Sequence, residues 1–83
     1  MTRERLEYLI NNHDDIEIKM KGTGFTIMTC FEKPIHIGEW YKRGEPEKPS
    51  FEFDTIEELL NSRFYLGIPF LELLPEMEVF TFA

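Results

Sequence analysis

Strict alternation between apolar and polar residues near the start of the chain constrains the fold more than any other sequence feature. In residues 15–21, isoleucine or methionine occupies every second position and charged residues lie between them. This is the period of a half-buried strand. Residues 22–24 include two glycines, which favour a tight reversal. Because residues 25–31 are again mostly apolar, the sequence predicts an antiparallel hairpin.

Three segments carry the signals of helices. A first helix is predicted to begin at Arg3, because apolar residues follow it at the i, i+3, i+4 spacing of one helix face. Asp54 is predicted to be the N-cap of a second helix, since Glu57 lies three residues later, as in a capping box. Pro69 is predicted to start a short third helix that Pro75 ends.

Further extended segments complete the predicted sheet. Residues 35–41 predict a third strand, residues 51–53 a brief extended stretch, and residues 76–82 a closing strand. The element order α-β-β-β-α-α-β is typical of an α+β fold, with an antiparallel sheet of about four strands and helices packed on one face. With 83 residues, 42% of them hydrophobic, the chain is expected to form a single globular domain over residues 1–83.

The negative charge is concentrated in the last part of the chain. The net charge is -7, and residues 52–83 carry seven acids and one base, Arg63. Direct binding to a nucleic-acid backbone is disfavoured, because such binding depends on Lys and Arg. A basic protein is the better electrostatic match. The glutamates predicted to form an acidic surface are Glu57, Glu58, Glu72 and Glu76.

Cysteine content and hydropathy indicate where the protein acts. Cys30 is the only cysteine, so no intramolecular disulfide can form, which is typical of a protein from a reducing compartment. No apolar run approaches the roughly 20 residues that cross a bilayer, and early charged residues interrupt any signal-peptide pattern. We therefore expect a cytoplasmic protein without membrane contact.

No group of residues in the sequence predicts a catalytic, cofactor or metal site. The two histidines, His13 and His36, lack a second ligand at the spacing that zinc sites require. Glu57 and Glu58 are adjacent, so on a helix they diverge by about 100 degrees and cannot face each other across a cleft. An enzyme would need a concave pocket around His36, Cys30 or the glutamates. We expect no catalysis and no cofactor.

The second face of the predicted sheet supplies a candidate interface. If the helices cover one face, alternation places on the other face Met28, Cys30, His36 and Trp40. The last strand would add either Phe80 and Phe82 or Met77 and Val79. A contiguous apolar patch with Trp and Met is typical of an interface centre. The alternative is that the long loop at residues 42–50, or the C-terminal segment, folds over this face.

The C-terminal part of the chain carries a recognisable pattern. Residues 53–60 read Phe-Asp-Thr-Ile-Glu-Glu-Leu-Leu, residues 67–69 read Gly-Ile-Pro, and residues 73–76 read Leu-Leu-Pro-Glu, followed by Val79. Over residues 51–79 this pattern resembles small uncharacterised proteins of Gram-positive bacteria and their phages. The resemblance implies an accessory protein of a mobile element and assigns no site residues.

Two functional hypotheses follow from these features. The first is a non-catalytic interaction or regulatory protein that binds a protein partner or itself, as a homodimer formed through the open sheet face. The second is an acidic mimic of nucleic acid that inhibits a DNA- or RNA-binding protein. The hypotheses differ in salt dependence: an acidic mimic should lose its partner steeply as salt rises, whereas an apolar contact should tolerate salt.

Overall fold

A computed structural model describes residues 1–29 and 34–83 and confirms the α+β class. The helices are α1 (Arg3–Asn12), α2 (Ile56–Asn61) and α3 (Phe70–Leu73), and a 3-10 helix follows at Leu74–Glu76. The strands are β1 (Asp15–Met20), β2 (Thr23–Met28), β3 (Ile35–Glu39), β4 (Ser50–Phe53) and β5 (Glu78–Phe82). They form one antiparallel sheet in the order β4-β3-β2-β1-β5. The brief extended stretch predicted at residues 51–53 is thus a fifth, edge strand.

The first hairpin has a shorter turn than the sequence predicted. Met20 pairs with Thr23, so Lys21 and Gly22 alone connect β1 and β2. Both have positive φ, 49° for Lys21 and 80° for Gly22. A two-residue type I′ turn requires this geometry and matches the right-handed twist of the strands it joins. The turn predicted at residues 22–24 is therefore wrong in extent, because Thr23 and Gly24 belong to β2.

The hydrophobic core lies between the helices and one face of the sheet. The alternate strand residues that face the helices are each 2% exposed or less: Ile16, Ile18, Met20, Phe25, Ile27, Ile35 and Ile37. The helical segments contribute Leu6, Leu9, Ile10, Leu59, Leu60, Phe70, Leu73 and Leu74. Burying a side chain of this kind stabilises the fold by about 1.5–3 kcal/mol. The helices therefore cover one face of the sheet, as predicted.

Phenylalanines of the acidic C-terminal third fill the space between α3 and the β3–β4 edge. The ring centroid of Phe64 lies 4.9 Å from that of Phe51 and 5.5 Å from that of Phe70. The ring centroids of Phe53 and Phe25 lie 6.1 Å and 6.3 Å from the centroid of Phe64. Aromatic pairs at such distances add about 0.5–1.5 kcal/mol beyond the burial of their area. The rings of Phe51, Phe53, Phe64 and Phe70 thus pack inward, while the carboxylates of the same segment stay in solvent.

The N-terminal boundary of α1 lies where the sequence predicts it, and that of α2 is shifted by one residue. α1 begins at Arg3 as predicted, and Thr2 is its N-cap. The N-cap of α2 is Thr55, whose Oγ1 accepts a hydrogen bond from the Glu58 backbone N–H at 3.1 Å, so the prediction of Asp54 is wrong by one residue. Both residue types cap well, and an acid lies three residues after each of them, so the sequence alone allowed either start.

The two prolines near α3 occupy positions different from the predicted ones. Pro69 precedes α3 as its N-cap and is not its first residue. Pro75 lies inside the 3-10 helix, which continues directly from α3 to Glu76. Met77 is the C-cap of this 3-10 helix and is 4% exposed. β5 begins at Glu78, so the closing strand predicted at residues 76–82 starts two residues later than expected. None of the helices in residues 1–29 and 34–83 is long and apolar enough to cross a membrane.

We expect Leu66→Asn to raise the free energy of unfolding by about 0.5–1 kcal/mol. Leu66 has a φ of 60°, a left-handed conformation that costs an L residue about 1–2 kcal/mol and that Asn adopts more readily. Its side chain is 59% exposed, so little packing is lost. Urea unfolding would measure the change. Leu71→Asn, at a 42% exposed helical position, serves as the control and should not stabilise. Equal effects of the two substitutions would contradict this explanation.

Candidate functional site

The face of the sheet opposite the helices carries the candidate interface residues. Met28 of β2 and His36 of β3 lie directly opposite each other, and both are half-buried. Trp40 follows β3 and lies over Gly24 of β2. Cys30 lies outside the described residues. We call this surface the open face and define it by Lys19, Gly24, Thr26, Met28, His36, Trp40 and Phe80.

Trp40 folds back across β2 and does not project into solvent. Its indole Nε1 donates a hydrogen bond to Thr26 Oγ1 at 2.8 Å, and its backbone N–H donates to the Gly24 carbonyl at 2.8 Å. A Cβ at position 24 would collide with the indole ring. Gly24 is therefore needed for close packing of the ring on the strand, and not for the turn to which the sequence assigned it.

Phe80 extends the aromatic surface from β2 to β5. Its ring lies edge-to-face with Trp40, with 5.8 Å between the centroids. Lys19 Nζ lies 5.4 Å from the Phe80 centroid and 5.9 Å from that of Trp40, within cation–π range. Phe80 is 63% exposed. The open face thus presents an exposed apolar centre with Lys19 beside it.

A β-bulge decides which residues of β5 reach the open face. Ile18 pairs with Val79, but the preceding residue of β1, Glu17, pairs with Thr81. Phe80 is therefore an additional residue between two paired positions. A bulge of this kind interrupts the alternation of side chains along the strand. Phe80 and Thr81 consequently lie on the same side of the sheet.

The bulge makes both predicted pairs of open-face residues wrong. Phe82 pairs with Ile16, whose side chain is buried under the helices, so Phe82 lies on the helix side. Met77 is 4% exposed and belongs to the core, and Val79 packs against it. Of the four candidates from the last strand, only Phe80 joins the open face. Alternation assigns faces correctly only where the ladder is regular.

Two adjoining grooves flank Trp40 on the open face. One has a volume of about 340 Å³ and is lined mainly by Thr26, Met28, His36, Gly38, Ser50 and Lys48. The other has a volume of about 480 Å³ and is lined mainly by Lys19, Gly24, Glu39, Tyr41, Lys42 and Glu45. These volumes are sufficient for a small ligand or for side chains of a partner. Because Trp40 borders both grooves, its orientation determines their shape.

The loop after β3 borders the open face without burying it. Lys48 Nζ lies 3.6 Å from a carboxylate oxygen of Glu39, which holds the end of the loop near β3. Tyr41 is 48% exposed, and residues 42–47 are exposed. The alternative in which this loop completes a second core is therefore wrong. Trp40 is half-buried by its packing on β2 together with the edge-to-face contact from Phe80.

The four glutamates of the candidate acidic surface are all exposed on the helical segments. Glu57 forms an ion pair with Arg3, and a carboxylate oxygen of Glu76 lies 3.2 Å from Lys21 Nζ. The Glu58 carboxylate accepts a hydrogen bond from a backbone N–H at the start of α2. Exposed pairs contribute only about 0–1 kcal/mol each. These ion pairs nevertheless place a cation beside Glu57 and another beside Glu76. Glu72 is the fourth glutamate of the candidate acidic surface.

The two histidines lie on different elements. His13 caps the C-terminus of α1, and its ring lies 4.5 Å from that of Phe82, whereas His36 lies on β3. Among residues 1–29 and 34–83, no group of three or more His, Cys, Asp or Glu side chains is placed to hold a metal ion.

Comparison with protein-family models gave no match. Comparisons with curated proteins and with solved structures also gave no match. What the chain binds must therefore be inferred from its own surfaces.

We expect Gly24→Ala to destabilise the protein by about 1–3 kcal/mol, the usual effect of overpacking. The added Cβ would displace the indole of Trp40. Gly38→Ala is the matched control on β3, because its Cβ would meet only the Ser50 Cβ at 3.6 Å, an ordinary contact. Urea unfolding followed by fluorescence would report both, since Trp40 is the only tryptophan. Equal destabilisation by the two alanines would show that Trp40 packing is not the cause.

Proposed function

We propose that the protein is a small, non-catalytic interaction or regulatory protein that binds a protein partner through its open face. The observation that carries the proposal is the Trp40–Phe80 pair, in which Phe80 is 63% exposed beside two grooves. Aromatic residues and methionine are enriched at the centres of protein interfaces. Met28, on the same face, adds a flexible apolar side chain.

The fixed position of Trp40 supports this role. Its indole is held by the hydrogen bond to Thr26 and by the close approach that Gly24 permits. A side chain already held in one orientation loses less conformational entropy on binding, so more of the contact energy appears as affinity. Tryptophan is also among the residues most often found at binding hot spots.

In this proposal the protein acts in the cytoplasm as an accessory protein of a phage or another mobile element, without a cofactor. The single cysteine supports the compartment. The resemblance of residues 51–79 to small proteins of Gram-positive bacteria and their phages supports the accessory role.

A second candidate function is inhibition of a DNA- or RNA-binding protein by mimicry of nucleic acid. The net charge of -7 and the exposed carboxylates of Glu57, Glu58, Glu72 and Glu76 favour it. The ion pairs of Glu57 and Glu76 disfavour it, because adjacent cations reduce the negative field presented to a basic partner. The open face is therefore the leading candidate.

We expect Met28→Asp to weaken partner binding at least about tenfold, a loss of about 1.4 kcal/mol. The immobilised protein would capture its partner from a lysate of the organism that encodes it, and the affinity would then be measured by calorimetry at two salt concentrations. Leu71→Asp introduces the same charge at an exposed apolar position of α3 and should leave the affinity unchanged. Circular dichroism would confirm that both variants are folded.

The opposite result would favour mimicry. If Glu57→Lys and Glu72→Lys abolish binding, Met28→Asp does not, and salt releases the partner steeply, the acidic surface is the binding site. If the wild type captures no specific protein, both candidate functions are wrong.

A further inference from the structure

The two edges of the sheet differ in their protection against pairing with another strand. β4 is four residues long, follows Pro49 and contains the exposed Glu52. Short length, proline and charge are the features that block pairing at an edge. β5 is five residues long, its exposed acid Glu78 occupies the first position of the strand, and residues 79–82 carry neither charge nor proline. The edge formed by β5 is therefore chemically open to a further strand.

The backbone groups of β5 that point away from the sheet belong to Val79 and Phe82. The Ala83 N–H donates to the Asp15 carbonyl at 2.8 Å, and the Asp15 N–H donates to the Ala83 carbonyl at 3.3 Å. Hydrogen-bonded pairs alternate along an antiparallel ladder, so the next residue, Phe82, directs its N–H and C=O to the free edge. The same alternation holds along β1, where the backbone N–H and C=O of Ile18 point toward β2. Val79 lies opposite Ile18, so its own N–H and C=O point to the free edge.

The bulge gives this edge an unusual spacing. In a regular strand the outward-facing residues are two positions apart, but Val79 and Phe82 are three apart because Phe80 is inserted between paired positions. A regular strand from another protein would not match this spacing. A second β5 has the same bulge and therefore the same spacing.

Antiparallel self-pairing of β5 also matches side chains to faces. With a twofold axis between Phe80 and Thr81, Val79 of one copy lies opposite Phe82 of the other, and Phe80 lies opposite Thr81. Val79 and Phe82 are both on the helix side, and Phe80 and Thr81 are both on the open face. Glu78 lies opposite Ala83, so no two charged side chains face each other.

We propose that a second copy of this chain pairs with β5, giving a twofold-symmetric dimer with one continuous antiparallel sheet. Two pairs of outward-facing residues then exchange backbone hydrogen bonds, and Phe80, which is 63% exposed in one copy, packs against the other copy. This proposal places the dimer contact along the sheet edge, whereas the sequence led us to expect a homodimer through the open face. It goes beyond the proposed function: Phe80 of each copy becomes part of the dimer contact, and the two grooves beside Trp40 remain available to a partner.

Thr81→Lys tests this edge. Thr81 is exposed and lies beside the proposed twofold axis, so the substitution places two ammonium groups close together in the dimer. Light scattering over a concentration series should show a wild-type dimer and an increase of at least about tenfold in the dissociation constant for the variant. Ser50→Lys adds the same charge at an exposed position of the other edge strand and should dimerise like the wild type.

Salt dependence supplies a second measurement. Each copy carries a net charge of -7, so the wild-type dimer should become tighter as salt screens the repulsion between the copies. A wild type that remains monomeric at every concentration and salt level would overturn the proposal. So would a dimer that Thr81→Lys leaves intact, or one that both lysine variants dissociate equally. None of these outcomes changes the expected effect of Met28→Asp on partner binding, so the two proposals fail independently.

Discussion

Burial of one side of the β1–β2 hairpin under the helices is the constraint on which the rest of the structure depends. Ile16, Ile18 and Ile27 are fully buried there, and Phe25 is nearly so. Because side chains alternate with period two, a shift of one residue in pairing would expose this entire set to water. The two-residue turn at Lys21–Gly22 fixes the same register independently, because it sets Met20 opposite Thr23. Every other strand is aligned through this pair.

The shape of the open face depends on a different contact, the packing of Trp40 on β2. Within residues 1–29 and 34–83 no helix covers the open face, and its central contact is the indole of Trp40 against Gly24 and Thr26. This contact turns a flat strand surface into two grooves with an aromatic ridge between them. The bulge in β5 then adds Phe80 to that ridge and also sets the spacing of the free edge. One irregularity therefore shapes both the candidate binding face and the candidate dimer edge.

Much of the fold was predictable because its signals are local. The alternation of β1 and the cap of α1 at Thr2 lie within a few residues of the structure they specify. Errors arose where two local solutions were nearly equivalent, as with Asp54 and Thr55 at the start of α2. The glycine at position 24, between Thr23 and Phe25, was similarly ambiguous, because a glycine can serve either a turn or a close approach. Gly24 was assigned to the turn although it packs against Trp40.

The sequence by itself determined the period of the central strands, their inward face and the membership of Met28 and His36 in the opposite face. These properties depend on the positions of apolar and turn-forming residues along one strand. Only the tertiary structure decided that Phe80 and Phe82 lie on opposite sides of the sheet, and that Trp40 lies flat on β2. Both depend on contacts between strands that are distant along the chain, and no local pattern records where a ladder of hydrogen bonds is interrupted.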